Sequence, residues 1–228
     1  MIHILWATLR PDFFKHMHKE WINRAKNPSN IKTHVAVNWD HHASILKDYL
    51  KDTDRLLVLN TNKIGVCYPS YMLSSTLEGN SDDIVVFASD DFMAPQGWDD
   101  YLINKLSGRI AALFVRDGYQ LPDSSNMLHP AITIPIMTFE CLKKLNMIIY
   151  HPAYFHMHSD CELYLNLKDL GLLIDDRKSD NTTFEHHHYA AGKRKPDQND
   201  QMYNMKWKDD EKTWNTRKVL DVIERIKI

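Results

Sequence analysis

Two adjacent acids, Asp90 and Asp91, follow the apolar run Ile84-Val85-Val86-Phe87-Ala88 and a serine, and precede Phe92-Met93-Ala94-Pro95-Gln96-Gly97-Trp98. An apolar run without alternation reads as a strand covered on both faces, as in a parallel sheet. Pro95 and Gly97 call for a turn just beyond it. Open α/β sheets bind ligands beyond the carboxyl ends of their strands. Carboxylates placed there offer oxygen ligation to a hard divalent cation, Mn²⁺ or Mg²⁺, which can also carry a phosphate ligand. Such an ion offsets charge developing on a diphosphate leaving group. The ordinary alternative is a turn in which one Asp caps the next helix.

Two later stretches add candidates. His158-Ser159-Asp160-Cys161-Glu162 precedes Leu163, Tyr164, Leu167, Leu170 and Gly171. That pattern predicts a capping box of Ser159 with Glu162, an amphipathic helix and a C-terminal glycine. Asp160 is then a first-turn acid favoured by the helix dipole; within reach of a hydroxyl nucleophile, the same carboxylate is a general base. Further on come Phe184-Glu185-His186-His187-His188-Tyr189 and Gly192-Lys193-Arg194-Lys195. In an extended segment His186 and His188 share a face and His187 points away. The pair reads as metal-ligating, against a solvated polar loop as the bland reading. No HExxH or paired CxxC accompanies the histidines, which weakens a zinc hydrolase. The absence of GxxxxGK[ST], GxGxxG and GxSxG removes the P-loop, dinucleotide and serine-hydrolase readings.

Residues 1–100 resemble the nucleotide-binding half of a GT-A fold, family 2-like glycosyltransferase. Ile2–Ala7 followed by Thr8-Leu9-Arg10-Pro11 resembles that family's entry to the base-binding loop. Ser89-Asp90-Asp91 resembles its DXD segment, with Ser89 at the first position, and Pro95-x-Gly97-Trp98 resembles the turn that often follows. The resemblance implies Asp91 on the metal and Asp90 on the ribose or the metal's outer shell, with Thr8, Arg10 and Asp40 near the nucleoside. It implies Asp160 as the base of an inverting reaction, and a late histidine, His186 or His188, completing the metal site. Lys193 and its basic neighbours would lie over the diphosphate. The implied activity moves a sugar from a nucleoside-diphosphate sugar to an acceptor hydroxyl on a glycan, a lipid-linked sugar, a protein or a modified base in DNA. Two other readings stand beside it. A sugar-nucleotide nucleotidyltransferase usually carries a Gly-rich basic loop where this chain has Thr8-Leu9-Arg10-Pro11. A non-catalytic nucleotide- or sugar-binding module would not require the acids.

The elements that must position these residues are legible in order. Strands are predicted at 2–7, 34–38, 56–59 and 84–88. Between them lie a helix from Pro11, with Phe14, Met17, Trp21 and Ala25 on one face and Pro28 as its stop, a short helix over 44–51, and one from Pro69 to Gly79-Asn80. This alternation predicts an α/β fold: a Rossmann-like, mostly parallel sheet flanked by helices, in a single domain over 1–228. Its nucleotide-sugar half is 1–105 and its acceptor half 106–228. The later part reads as a helix from Gly97-Trp98, a strand over 109–115, a loop over 117–130 and a strand over 131–136 that Pro135 marks as an edge or an end. A polar mobile loop over 175–200 and a closing helix from about Asp210 through Trp214, Leu220, Ile223 and Ile226 complete it. The 228 residues, 43% hydrophobic, suffice for a proper core. A net charge of −2 without a basic block argues against a broad grip on nucleic acid. Cys67, Cys141 and Cys161 lack any CxxC and read as reduced cytoplasmic thiols. No signal peptide and no transmembrane run is seen.

Overall fold

The computed structural model describes residues 1–62, 65–118, 130–179, 183–189 and 192–228. Its first part alternates as the pattern requires: β1 (Ile2–Ala7), α1 (Pro11–Arg24), β2 (Ile31–Val37), α2 (Asp40–Lys47), β3 (Arg55–Val58), α3 (Cys67–Ser75) and β4 (Ile84–Ala88). There follow β5 (Phe92–Met93), α4 (Trp98–Leu106), β6 (Ala112–Phe114), β7 (Ile136–Thr138), α5 (Phe139–Lys144), α6 (Ser159–Asp169), β8 (Leu173–Asp175), β9 (Glu185–His186), α7 (Gln198–Arg217) and α8 (Val222–Arg225). Seven strands form one sheet in the order β3-β2-β1-β4-β7-β6-β8. Only β7 runs against its neighbours, β4 and β6. The strand order reverses between β1 and β4, so their carboxyl ends flank the crevice where such sheets take ligands.

Side chains alternate across the sheet and build two cores. Ile4, Trp6 and Val86 face Phe14, Met17 and Trp21 of α1 and Leu102 and Leu106 of α4. Leu5, Val85 and Phe87 face Leu73 of α3, Leu142 of α5 and Leu163 and Leu167 of α6. Three buried indoles tie the first layer to the site. Trp21 Nε1 donates to the Phe92 carbonyl at 2.7 Å, Trp98 Nε1 donates to the Trp21 carbonyl at 2.9 Å, and Trp6 Nε1 donates to Asp90 Oδ1 at 2.7 Å. Gly97 enters α4 at φ 66°, a conformation that glycine adopts without strain. Cys67, Cys141 and Cys161 are all free. Among the described residues, no helix is long and apolar enough to cross a membrane.

Several predicted elements shift. The strand over 131–136 begins only at Ile136, because Pro135 has no N–H for a ladder; its carbonyl instead accepts Phe87 N–H at 2.8 Å. The strand over 109–115 narrows to Ala112–Phe114, the helix over 44–51 starts earlier, at Asp40, and α3 ends at Ser75, short of Gly79. Of the 117–130 loop, 119–129 lie outside the described residues. The capping box at Ser159 does not form. His158, at φ 64°, is the cap, Ser159 Oγ donates to the His156 carbonyl, and buried Glu162 accepts from Tyr154 Oη and from two Arg217 nitrogens. Of the segment predicted as a mobile polar loop, 180–182 and 190–191 lie outside the described residues, and its stretch around Phe184–His187 is pinned. Phe184 and His186 N–H groups donate to the Arg116 and Asp117 carbonyls, and β9 pairs antiparallel with β5. The closing helix starts at Gln198, not Asp210, and stops at Arg217; Asp221 then caps α8, so Leu220 and Ile223 do not continue the Trp214 helix.

Candidate functional site

Asp90 and Asp91 leave the end of β4 in different directions. Asp90 turns inward. Its Oδ1 accepts from Trp6, and its Oδ2 accepts from Thr8 Oγ1 at 2.8 Å and Arg10 Nε at 3.3 Å. Asp90 therefore locks the loop after β1 to the end of β4, with both oxygens committed to protein donors. Burial pushes its pKa up to about 6 against the pull of Arg10, Thr8 and Trp6.

Asp91 points to the late histidines. Ser89 Oγ donates to its Oδ1 at 2.6 Å, while Oδ2 lies 3.5 Å from His186 Nε2 and 3.5 Å from Arg194 Nη2. Burial alone would raise its pKa, but His186, Ser89 and Arg10 together outweigh it and hold Asp91 well below the usual carboxylate range. The β5–β9 pairing delivers the histidines: Phe92 sits opposite His186, their rings stacked at 4.1 Å, and His187 N–H donates to the Asp91 carbonyl at 2.7 Å. The His186 and His188 rings are 4.9 Å apart, whereas the His187 ring turns to Glu185. One carboxylate and two imidazoles are a donor set that suits a divalent transition ion such as Mn²⁺. Asp91 and His186 already face each other. Among the described residues, no three His, Cys, Asp or Glu side chains stand in a ligating arrangement, and a guanidinium supplies the positive charge beside Asp91.

Of the other predicted residues, Thr8 and Arg10 join the acids, while Asp40, Lys193 and Asp160 bond elsewhere. Arg10 spans Asp90 and Asp197, with Nη1 2.9 Å from Asp197 Oδ2, and these acids with Asp91 keep it charged despite burial. Asp40 is exposed at the start of α2 and accepts Asn60 Nδ2 at 3.2 Å. Lys193 is held by Glu185 at 2.9 Å. Asp160 lies in the first turn of α6, where its Oδ1 accepts Cys161 N–H at 2.9 Å. The loop before it is gripped from α7: buried Asp210 accepts the N–H groups of Phe155, His156 and Met157 at 2.7, 2.9 and 2.8 Å.

Three residues that sequence reasoning passed over, Asn38, Tyr203 and His156, belong to this site, beside Arg194 of the predicted basic run. Asn38 ends β2 and, with Thr8, Leu9, Gly65, Val66 and Tyr203, lines a cavity of about 20 Å³; its Nδ2 is buried and has no hydrogen-bond partner among the described residues. Tyr203 reaches this cavity from α7. His156 stacks on Tyr203, and burial lowers its pKa although Asp160 and Asp91 pull the other way. Arg194 is bound in two places by Asp200 and faces Asp91. A signal for the α7 start was present, because Asp197 and Asp200 make a reciprocal capping box. Beside the acids, a groove of about 480 Å³ is lined by Arg10, Phe13, Arg194 and Lys195 among others.

No family model and no curated protein matches the sequence. Solved structures do. S. aureus TarS 1-349 in complex with UDP superposes with a TM-score of 0.61 at 14% identity, over 81% of this chain and 59% of that one. The chain thus spans about three fifths of the TarS fragment it matches. Glucosyl-3-phosphoglycerate synthase from Mycobacterium tuberculosis, in complex with Mn²⁺, UDP and glucosyl-3-phosphoglycerate, gives 0.58 at 12% identity over 97% and 81% of the two chains. The mannosyltransferase PcManGT from Pyrobaculum calidifontis, in complex with GDP-Man and Mn²⁺, gives 0.56 at 12% over 77% and 54%. At these identities the likeness shows the fold: with its mostly parallel seven-stranded sheet flanked by helices, the chain has the GT-A glycosyltransferase fold.

Proposed function

We propose that this chain transfers a sugar from a nucleoside-diphosphate donor to an acceptor hydroxyl, with inversion. The observation that carries the reading is Asp91, buried at the strand-order switch, oriented by Ser89 and facing His186 across the β5–β9 pair. A fold-level likeness alone would not reach this far. In this reading Asp91, His186 and His188 hold a divalent ion, which supplies charge stabilisation to the diphosphate. Arg10, beside the acids, adds cationic charge where the leaving group's electrons collect. Asn38 and Thr8 take the nucleoside, and residues 106–228 take the acceptor. Asp160 accepts the acceptor hydroxyl's proton as that oxygen bonds to the anomeric carbon and the sugar–phosphate bond breaks.

A melting panel of UDP-, GDP-, CMP- and dTDP-sugars, each with and without Mn²⁺, tests this. A hundredfold excess over Kd stabilises the fold by roughly 2.7 kcal/mol. One donor class is expected to raise the melting temperature only with Mn²⁺, and Asp91→Ala to abolish that shift. An Asp91→Ala variant with unchanged Mn²⁺-dependent affinity removes the metal role.

A further inference from the structure

The nucleoside end of the candidate cleft, unlike the groove on the far side of Arg10, is filled by the chain's own C-terminal arm. Three contacts from one ten-residue stretch meet three separate parts of the site. Tyr203 closes the cavity beside Asn38 and leaves about 20 Å³, the room of one water, where small-molecule sites offer roughly 300 Å³ or more. Its ring lies parallel to His156, centroids 4.0 Å apart and planes 7° apart, the contact that a flat heterocycle would make. Arg194, gripped by Asp200 at 2.6 and 2.7 Å, presents its guanidinium 3.5 Å from Asp91 Oδ2, the oxygen facing His186. Asp197, the cap of α7, holds Arg10 at 2.9 Å.

We infer that residues 194–203 are an autoinhibitory plug, with Tyr203 in the nucleoside's place and Arg194 in the cation's, which must withdraw before a nucleoside diphosphate and its ion bind. This rests on the donor reading above. The construction of α7 allows the withdrawal. Beyond Tyr203, residues 204–209 are all exposed, with Met205 at 76% and Trp207 at 44%. Tertiary contacts on this segment are an edge contact of Trp207 with His158 and a hydrogen bond from Tyr189 Oη to Asn204 Oδ1, and so exposed a helical segment is where local opening concentrates. Immediately after it, Asp210 and Trp214 are buried and fasten the rest of the helix. The first turns can therefore swing out or melt while the anchor stays. Binding is then weakened by the fraction of molecules that are open, so a plug open one time in ten raises the apparent Kd about tenfold.

Hydrogen exchange of the ligand-free protein, and titration with UDP and GDP in Mn²⁺, test the plug together with the variants Tyr203→Ala and Asp200→Ala. Amides of 201–204 are expected to exchange at least tenfold faster than those of 211–217, and faster still when the nucleotide that binds is added. Either variant should bind that nucleotide about tenfold more tightly than the parent. Having two variants guards against Tyr203→Ala alone impairing folding. Equal exchange of the two segments overturns the plug, as does protection of 201–204 by nucleotide, which marks a lid closing over ligand. Equal affinity of parent and variants overturns it too while leaving the donor reading intact. A segment that opens freely in variants that bind no nucleotide removes the donor reading, and the plug with it.

Discussion

Asp90 and Asp91 are neighbours in the chain, but their surroundings drive their ionisation apart. Asp90, pushed up to about 6 by burial, serves as the acceptor for Trp6, Thr8 and Arg10. Asp91, held low, keeps its charge beside His186. Separated pKa values in adjacent acids are a mark of divided roles. Asp90→Ala leaves the Trp6 indole and the Thr8 hydroxyl without their acceptor, and a cost of about 3 kcal/mol is expected from a denaturant titration. A loss below about 0.5 kcal/mol would refute the clasp between β1 and β4. Asp160→Asn is expected to retain the Mn²⁺-dependent donor shift and to lose transfer by roughly 10²–10⁴-fold, the usual span of general-base catalysis, in a sugar-release or transfer assay. Normal turnover removes Asp160 as the base.

At the scale of elements, the site depends on two loops that touch. A Cβ at Gly65 would lie 2.0 Å from the Phe155 carbonyl oxygen, and Cys67 N–H also turns toward that oxygen at 3.4 Å. Gly65→Ala must separate backbone from backbone. A loss of about 2 kcal/mol in stability and a weakened nucleotide affinity are expected, read by melting and titration; a variant with parental values for both would show that the loops part freely. The same packing explains what could be read from sequence. Asp90, Asp91 and the strand before them are one local pattern, and so were visible, as were β1 to β4 and the helices between them. The pairing of β9 with β5, the Arg10–Asp197 clasp and Tyr203 against Asn38 join residues that no local period connects. Predicting a mobile loop over 175–200 followed from its polar composition. The N–H groups of Phe184, His186 and His187 found partners on Arg116, Asp117 and Asp91, which composition does not register. Pro135 signalled the boundary of β7, though not that the strand lies after the proline.

For the whole molecule, buried imidazoles set the acid response. His18 is enclosed with Tyr49 Oη at 2.9 Å and Thr33 Oγ1 at 2.8 Å, and burial lowers its pKa to about 4; burial takes His34 to about 3. Their unfolded value is near 6.5. The stability they confer by staying neutral is complete above about 6.5 and is lost as pH falls toward 4 and 3. His18 alone accounts for about 3 kcal/mol of that range. Asp90, with a raised pKa, acts oppositely, favouring the fold below its unfolded value near 3.9 and losing that contribution as pH rises through about 6. Two histidines outweigh one carboxylate, so the denaturation midpoint is expected to fall between pH 7 and 4.5, with a shallower slope in His18→Gln; a flat profile would count against their burial as neutral rings. The sheet order has one more consequence. Its margins are β3 and β8, four and three residues long. Arg55 at one margin is drawn onto Thr76, and at the other Asp175 and Arg177 close on each other over Phe114. Short borders flanked by charge give a passing strand little to zip onto, so the sheet ends where it does and resists recruiting another molecule into an aggregate.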